Sequence, residues 1–314
     1  MATVTMTETM KAVMIHQYGG PEVLKYEDVP RPEPQRDEVL VRVHAAGVNP
    51  VDWKIREGKV GQGPLPQVMG SDFAGIIEAV GADVKNLRLG MPVFGVVADE
   101  SGSYAEYLVA PESRVARKPE SLDFQHAAAL PTASLTAWQA LFDAANLEEN
   151  ETVLIHAAAG GVGGFAVQFA AWKGARVIGT ASVKNLDYVR ELGADEAIDY
   201  HAVNFDEIVH DADVVFDTVG DETQERSFKV LRKGGILVSI VQPPSEEKAK
   251  ENGVRALFWW SKPRGDQLAR IADLVVSGEV QVNVEAVLPL SQARQAQELS
   301  QSGHARGKIV LVPE

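Results

Sequence analysis

The stretch TVLIHAAAGGVGG at residues 152–164 decides the fold of this chain, because it joins a strand to a helix through a turn of small residues. It opens with four apolar or β-branched residues, which predict a short buried strand. Residues 165–172, which follow it, are apolar and compatible with a helix. Within the turn, Ala158, Gly160 and Gly163 match the dinucleotide-binding fingerprint, with alanine at the position of its first glycine. The stretch therefore predicts a nucleotide-binding βα unit.

Small side chains in such a turn allow the backbone to approach a pyrophosphate closely. The N-terminus of the following helix supplies free N–H donors and a partial positive charge. A glycine pattern alone is also typical of an ordinary loop, but the flanking strand and helix favour the nucleotide site. We predict that the diphosphate of the cofactor binds at Ala158, Gly160, Gly161, Val162 and Gly163.

Composition excludes several classes of function. The chain has 314 residues, enough for two domains, and a formal net charge of -14, which argues against a general nucleic-acid binder. It has no cysteine, which rules out disulfides, thiolate nucleophiles and metal sites with cysteine ligands. The first ten residues hold neither a basic segment nor a long apolar run. We therefore expect no secretory signal, no membrane span and a cytoplasmic location.

The pattern of elements changes near residue 124. Before it, short apolar segments alternate with proline and glycine, which predicts a compact, barrel-like β domain. After it, strands and helices alternate, which predicts a doubly wound parallel sheet. We therefore expect an α/β protein whose first domain, residues 1–125, is completed by residues 281–314. The dinucleotide-binding domain is expected at residues 126–280.

The end of the second strand of this sheet indicates which dinucleotide binds. An NAD-binding protein usually has Asp or Glu at this point, to hold the ribose 2′-hydroxyl, but here Ala181 follows Thr180. Ser182 and Lys184 offer a donor and a positive charge to a 2′-phosphate, and Tyr200 follows the third strand. The residues thus favour NADP. Ser182 also fits the N-cap of a helix, and Tyr200 fits a core or rim aromatic residue.

Four segments together resemble the medium-chain dehydrogenase/reductase superfamily, in its zinc-free quinone oxidoreductase branch. The resemblance extends over residues 11–312 and implies a GroES-like first domain, a Rossmann second domain and a cofactor cleft between them. The segments are Ala46–Asp52 (AGVNPVD), Gly70–Gly75 (GSDFAG), Ala158–Gly163 (AAGGVG) and Gly303–Val310 (GHARGKIV).

The resemblance also implies that no catalytic metal is bound. Asn49 stands where zinc-dependent relatives have a cysteine ligand, and Ser71 stands where a histidine ligand would follow Gly70. The seven histidines show no close metal-ligand spacing, and we interpret most of them as structural or surface residues.

Without zinc, alcohol oxidation lacks its Lewis acid, whereas reduction of an electron-poor quinone or α,β-unsaturated carbonyl by NADPH remains feasible. The resemblance implies a catalytic group of Asn49, near the nicotinamide ribose, with Asp52 and Lys54 on the same wall of the cleft. Lys54 stands where some relatives have tyrosine. We interpret it as an oxyanion stabiliser or proton donor, with a solvated surface lysine as the alternative.

The remaining cofactor contacts are also implied by the resemblance, with simple fold maintenance as the alternative for each. They are Thr136, Val219, Val241, Arg306 and Lys308. The segment Phe258–Trp260 (FWW) fits a substrate lid, a dimer contact or part of a core, and relatives pair as dimers through the edge of the Rossmann sheet.

We expect an NADPH-dependent, zinc-independent reductase of quinones or α,β-unsaturated carbonyls that acts as a homodimer on small molecules. Two alternatives remain open. One is an enoyl-thioester reductase, and the other is a non-catalytic NADP(H)-binding protein with a regulatory or structural role.

Overall fold

The computed structural model describes residues 8–303 and 305–314. Residues 1–7 and His304, which belongs to the C-terminal motif, lie outside the described residues. The chain divides into two compact units. The first unit comprises the chain up to Thr132 with Pro263–Val276 and Val282–Glu314, and the second comprises Ala133–Lys262 with Ser277–Gln281.

The strands of the described residues are, in chain order, β1 (Thr9–Ile15), β2 (Lys25–Pro30), β3 (Glu38–Val48), β4 (Gln67–Val68), β5 (Asp72–Val80), β6 (Pro92–Val96), β7 (Tyr107–Pro111), β8 (Val115–Arg117), β9 (Thr152–Ile155), β10 (Arg176–Ala181), β11 (Glu196–Asp199), β12 (Ala212–Asp217), β13 (Leu231–Ser239), β14 (Arg255–Phe258), β15 (Val284–Pro289) and β16 (Lys308–Val312).

The α-helices are α1 (Pro50–Arg56), α2 (Phe124–Ala129), α3 (Pro131–Trp138), α4 (Gly161–Lys173), α5 (Leu186–Glu191), α6 (Phe205–Ile208), α7 (Asp221–Ser227), α8 (Glu246–Asn252), α9 (Gly265–Val276) and α10 (Ala293–Gln301). A π-helical turn, Gln139–Ala144, continues α3.

The second unit is built on a parallel sheet with the order β11-β10-β9-β12-β13-β14. Starting from β9, the strands extend outward in both directions, which is the doubly wound order of a Rossmann fold. The predicted α/β fold is confirmed. The edge strand β14 was not predicted, because Arg255–Phe258 is too short and too exposed to show an apolar run.

The first unit contains a sheet of order β15-β16-β3-β5-β6-β8, with β7 also paired to β3, and a smaller sheet of order β2-β1-β4. Its long central strand, β3, is buried along nearly its whole length. The C-terminal strand β16 pairs antiparallel with β3, with Val48 opposite Ile309. The last segment of the chain thus belongs to the first unit.

The structural units differ from the predicted domains at α9. The sequence assigns these residues to the dinucleotide-binding domain, but the structure places α9 in the first unit, packed against β8. An amphipathic helix after a Rossmann strand has the pattern of another crossover helix, so its partner is decided by packing alone. In the described part of the chain, no helix combines the length and the apolar composition needed to cross a membrane.

Candidate functional site

The turn between β9 and α4 in the second unit leaves backbone N–H groups free for a ligand. Gly160 is the N-cap of α4 and provides no side-chain cap, and the first turn of the helix has no acidic residue. The first N–H groups of a helix have no partner within the helix, so they form a site for an anion. Ala158 N donates to Thr180 O at 2.9 Å, which anchors the turn to β10.

Close packing explains why this turn has small residues. A Cβ atom on Gly163 would lie 2.3 Å from the carbonyl oxygen of Ala157, which is closer than any real Cβ contact. A Cβ atom on Gly179 would lie 2.8 Å from the Cβ of Ala158, so glycine on β10 makes room for alanine in the turn. The fingerprint therefore includes a structural requirement as well as room for a ligand.

His156, which follows β9, supports the turn through a buried chain of hydrogen bonds. The Ser227 hydroxyl donates to Thr223 O at 2.7 Å, so Ser227 Oγ accepts from His156 Nε2 at 2.9 Å. His156 Nδ1 then accepts from Thr180 Oγ1 at 3.1 Å. A neutral ring that carries its proton on Nε2 satisfies both contacts. Burial lowers the pKa of His156 from 6.5 to about 4, which agrees with the neutral form.

The predicted 2′-phosphate residues lie at the carboxyl ends of two paired strands. Ala181 at the end of β10 is opposite Asp199 at the end of β11, so Ser182 and Tyr200 leave the sheet side by side. Ser182 begins the 3-10 turn that contains Lys184, whose side chain is exposed. Tyr200 is 53% exposed. These three residues follow the carboxyl ends of the paired strands β10 and β11, and their contacts with a 2′-phosphate stay predictions.

Val219 and Val241 follow the carboxyl ends of β12 and β13. The buried carboxylate of Asp217 fixes the first of these turns, because its Oδ1 accepts from Val219 N at 3.0 Å and from Gly220 N at 2.8 Å. Val219 is exposed and Val241 is half-buried. Thr136 is buried, and its hydroxyl donates to Ser261 Oγ at 2.9 Å. These three contacts with the cofactor stay predictions.

The second unit fits a dinucleotide with a 2′-phosphate. The uncapped start of α4 provides N–H donors for a diphosphate, and the end of β10 has Ser182 and Lys184 where a carboxylate would repel the extra phosphate. This end of the sheet is also where ligands of doubly wound folds bind.

In the first unit, Asn49 and Asp52 belong to the start of α1. Asn49 is the N-cap of the helix, and its N–H donates to Asp52 Oδ2 at 2.8 Å, which is the backward bond of a capping box. Tyr104 OH donates to the same oxygen at 2.8 Å. Asp52 is 1% exposed, and its predicted catalytic role stays a prediction.

The other oxygen of Asp52, Oδ1, is buried and has no hydrogen-bond partner among the described residues. Burial raises the pKa of Asp52 from 3.8 to about 7, against the opposing effects of the hydrogen bonds from Asn49 and Tyr104. An uncompensated oxygen favours the protonated carboxyl group. We therefore expect Asp52 to hold a proton below about pH 7.

The side chain of Asn49 joins two buried charged residues. Its Nδ2 donates to Asp72 Oδ2 at 2.9 Å, and its Oδ1 accepts from Lys308 Nζ. Lys308 also donates to Val48 O at 3.1 Å. Asp72 accepts from the backbone N–H and the hydroxyl of Thr132. Burial lowers the pKa of Lys308 and raises that of Asp72, while the attraction between the two charges opposes both shifts.

Lys308 was predicted to contact the cofactor, and this contact stays a prediction. Its side chain is 4% exposed, and its ammonium group is engaged by Asn49 and Val48. Arg306 is exposed, and its backbone oxygen accepts from Asn283 Nδ2 at 2.7 Å. Lys54 is half-buried, with Nζ 5.6 Å from the centre of the Trp53 indole ring. The roles of Lys54 and Arg306 stay predictions.

Sequence reasoning missed three members of this cluster: Asp72, Thr132 and Tyr104. Asp72 lies in the segment Gly70–Gly75, so its place in that motif was a signal. Thr132 and Tyr104 gave none, because each meets its partner across more than 50 residues of chain. Among residues 8–303 and 305–314, no group of three or more histidine, aspartate or glutamate side chains is arranged to hold a metal ion.

Two protein-family models match the chain. The alcohol dehydrogenase GroES-like domain matches residues 35–120, and the zinc-binding dehydrogenase family matches residues 192–311.

Three similar proteins extend over nearly the whole chain. The NADPH-dependent alkenal/one oxidoreductase of Arabidopsis thaliana chloroplasts is 36% identical over 99% of this chain and 82% of its own length. The quinone oxidoreductase structure from Coxiella burnetii is 37% identical with a TM-score of 0.92, covering 97% of this chain and 99% of that one. The Escherichia coli quinone oxidoreductase complexed with NADPH is 29% identical with a TM-score of 0.90, covering 96% and 100%.

Proposed function

Because the chain belongs to the quinone oxidoreductase-like branch of the medium-chain dehydrogenase/reductase superfamily, we propose that it reduces quinones or α,β-unsaturated carbonyls with NADPH. The observation that carries the proposal is the uncapped start of α4 together with the end of β10, where Ala181 stands in place of an acidic residue and Ser182 and Lys184 follow. This arrangement suits NADPH. By their names, the proteins similar to this chain act on quinones and on alkenals or alkenones.

NADPH, when bound, supplies a hydride to the acceptor. The chain must bind the cofactor, align the acceptor, exclude water and stabilise the oxygen that gains negative charge. We assign the diphosphate to the turn at residues 158–163 and the 2′-phosphate to Ser182, Lys184 and Tyr200. We assign Asn49 to the reacting, nicotinamide end of the cofactor. We assign Lys54 to stabilising the developing oxyanion or to donating a proton to it.

Zinc independence is part of the proposal. Asn49 replaces a cysteine ligand of zinc-dependent relatives, and the chain contains no cysteine. The Asn49 side chain also forms hydrogen bonds with Asp72 and Lys308, and the Lys308 ammonium group places a positive charge beside it. Activity is therefore expected to survive dialysis against a strong chelator, measured as NADPH consumption before and after treatment.

The test is NADPH consumption with a panel of quinones, enones, enals and enoyl thioesters, run beside NADH. Turnover of quinones or enones with a preference for NADPH supports the proposal. Preference for thioesters supports an enoyl-thioester reductase. Binding of NADPH, followed by cofactor fluorescence, without consumption supports a non-catalytic binding protein.

We also propose a homodimer formed along β14. This strand lies at the outer edge of the parallel sheet. Its last residue, Phe258, is 38% exposed, and Trp260, which follows it, is 59% exposed. An open strand edge with apolar neighbours favours association. Light scattering of the purified protein tests the assembly, and Trp260→Arg is expected to shift it to the monomer. The cytoplasmic location stays a prediction from the sequence.

A further inference from the structure

The carboxamide of Asn49 is held by opposite charges at its two ends. Its Nδ2 donates to Asp72, and its Oδ1 accepts from Lys308. An ammonium group can only donate hydrogen bonds and an ionised carboxylate can only accept them. A flipped amide would therefore set N–H against the ammonium and oxygen against the carboxylate, so a single orientation is stable.

Three neighbouring strands create this arrangement. Asn49 directly follows β3, Asp72 begins β5 and Lys308 begins β16. The strand β3 lies between the other two, with Gly47 opposite Asp72 and Val48 opposite Ile309. Each charged residue has a further anchor: Asp72 accepts from Thr132, and Lys308 donates to the backbone oxygen of Val48. The orientation of the amide is thus set by the sheet.

We propose that Lys308 and Asp72 are positioning residues that act through Asn49, and that Lys308 is not a cofactor ligand. Together they hold the carboxamide of Asn49 in one direction. The inference rests on the proposed function, which assigns Asn49 to the reacting end. Two opposite buried charges contribute little net stability, so orientation of the Asn49 carboxamide between them is the role that accounts for them best.

The decisive variant is the double substitution Lys308→Met with Asp72→Asn. It removes both charges together, so neither of the two is left in the interior without the other, and it allows Asn49 to take either orientation. The matched control is Lys11→Met with Asp28→Asn, which removes an exposed ion pair of the same unit, 2.8 Å between Nζ and Oδ2. Both proteins are compared with the wild type for thermal unfolding, NADPH dissociation constant, kcat and KM.

We expect the double variant to unfold cooperatively, to bind NADPH within about threefold of the wild type, and to lose kcat by on the order of 100-fold. The control keeps the wild-type kcat. Adding Asn49→Ala to the double variant is expected to cause little further loss, because residues that act through one another are not additive. An unchanged kcat, or a second full loss on adding Asn49→Ala, overturns the proposal.

A cofactor ligand behaves differently. If Lys308 touched NADPH, the NADPH dissociation constant of the double variant would rise at least tenfold and would depend less on salt. Its kcat at saturating NADPH would be retained. This result also overturns the proposal. If the double variant does not unfold cooperatively, Thr132→Val replaces it, since it loosens Asp72 from the far side. A lower kcat with unchanged NADPH binding supports the inference, and an unchanged kcat contradicts it. Failure of the proposed function is separate, because the wild type itself would then show no turnover.

Discussion

Replacing Asp52 with asparagine tests whether this carboxyl group keeps its proton in the folded protein. Burial raises its pKa from 3.8 to about 7, and Oδ1 has no hydrogen-bond partner among the described residues. An asparagine side chain keeps an oxygen for Asn49 N–H and Tyr104 OH, and it is uncharged like the protonated acid. The substitution thus removes the titration while it retains the shape.

The sign of the effect follows from proton binding. Between about pH 4 and pH 7 the folded protein holds a proton on Asp52 that the unfolded chain has released, so the free energy of unfolding falls as pH rises through this window. A shift of about 3 pKa units corresponds to about 4 kcal/mol. The wild type therefore loses about 4 kcal/mol of stability relative to Asp52→Asn between pH 4 and pH 8.

The assay is urea unfolding at pH 4.5, 6 and 8, followed by circular dichroism at constant ionic strength. Hydrogen exchange of peptides from β3 and β5 reports on the first unit by itself. Asp28→Asn, an exposed aspartate of the same unit, is the control and should follow the wild type. If Asp52→Asn also follows the wild type within about 1 kcal/mol at every pH, Asp52 is ionised in the folded protein and the reasoning is refuted.

Three further predictions concern the second unit. Burial lowers the pKa of His156 from 6.5 to about 4, so its contribution to the free energy of unfolding is present above pH 6.5 and is lost as pH falls towards 4. In the same urea assay, His156→Asn should weaken the loss of stability between pH 6.5 and pH 4 by up to about 3 kcal/mol. Gly163→Ala should lower the free energy of unfolding by about 1–3 kcal/mol, because the new Cβ would clash with the turn. Gly160→Ala should lower it less, because its Cβ would lie 3.3 Å from the nearest atom. Equal losses in the two variants would contradict the packing argument. Ser182→Asp should lower kcat/KM for NADPH by tenfold or more and leave NADH less affected, and Lys184→Met should weaken NADPH binding in a salt-dependent way; an unaltered preference in both would place the 2′-phosphate elsewhere.

The packing of α9 and the edge strand β14 show where local patterns stop being informative. The predicted dinucleotide-binding domain includes the residues of α9, but the helix packs against β8 of the first unit, and its local pattern does not select that partner. The strand β14 has four residues and no run of buried side chains, so its pairing with β13 creates a strand that the sequence does not indicate.

In the candidate site, too, some parts follow from local sequence and others depend on contacts between distant residues. The turn at residues 158–163 and the positions of Ser182 and Lys184 depend on residues that lie close together in the chain or follow a strand directly. Their predictions needed only local preferences and the knowledge that parallel strands end at one edge. The surroundings of Asn49 depend on partners 23 and 259 residues away, and no local preference brings those together.

By itself the sequence determined that a β-rich unit precedes a doubly wound nucleotide-binding unit, because β-branched runs, small-residue turns and helical stretches each act over a few residues. Only the tertiary structure decided that Asp52 is buried and that Lys308 contacts Asn49. Which polar side chains are buried, and against which charges, depends on the pairing of β3 with β5 and β16. Burial changes the free energy of a charge by several kcal/mol, so it sets the chemistry of these residues only after the strands have paired.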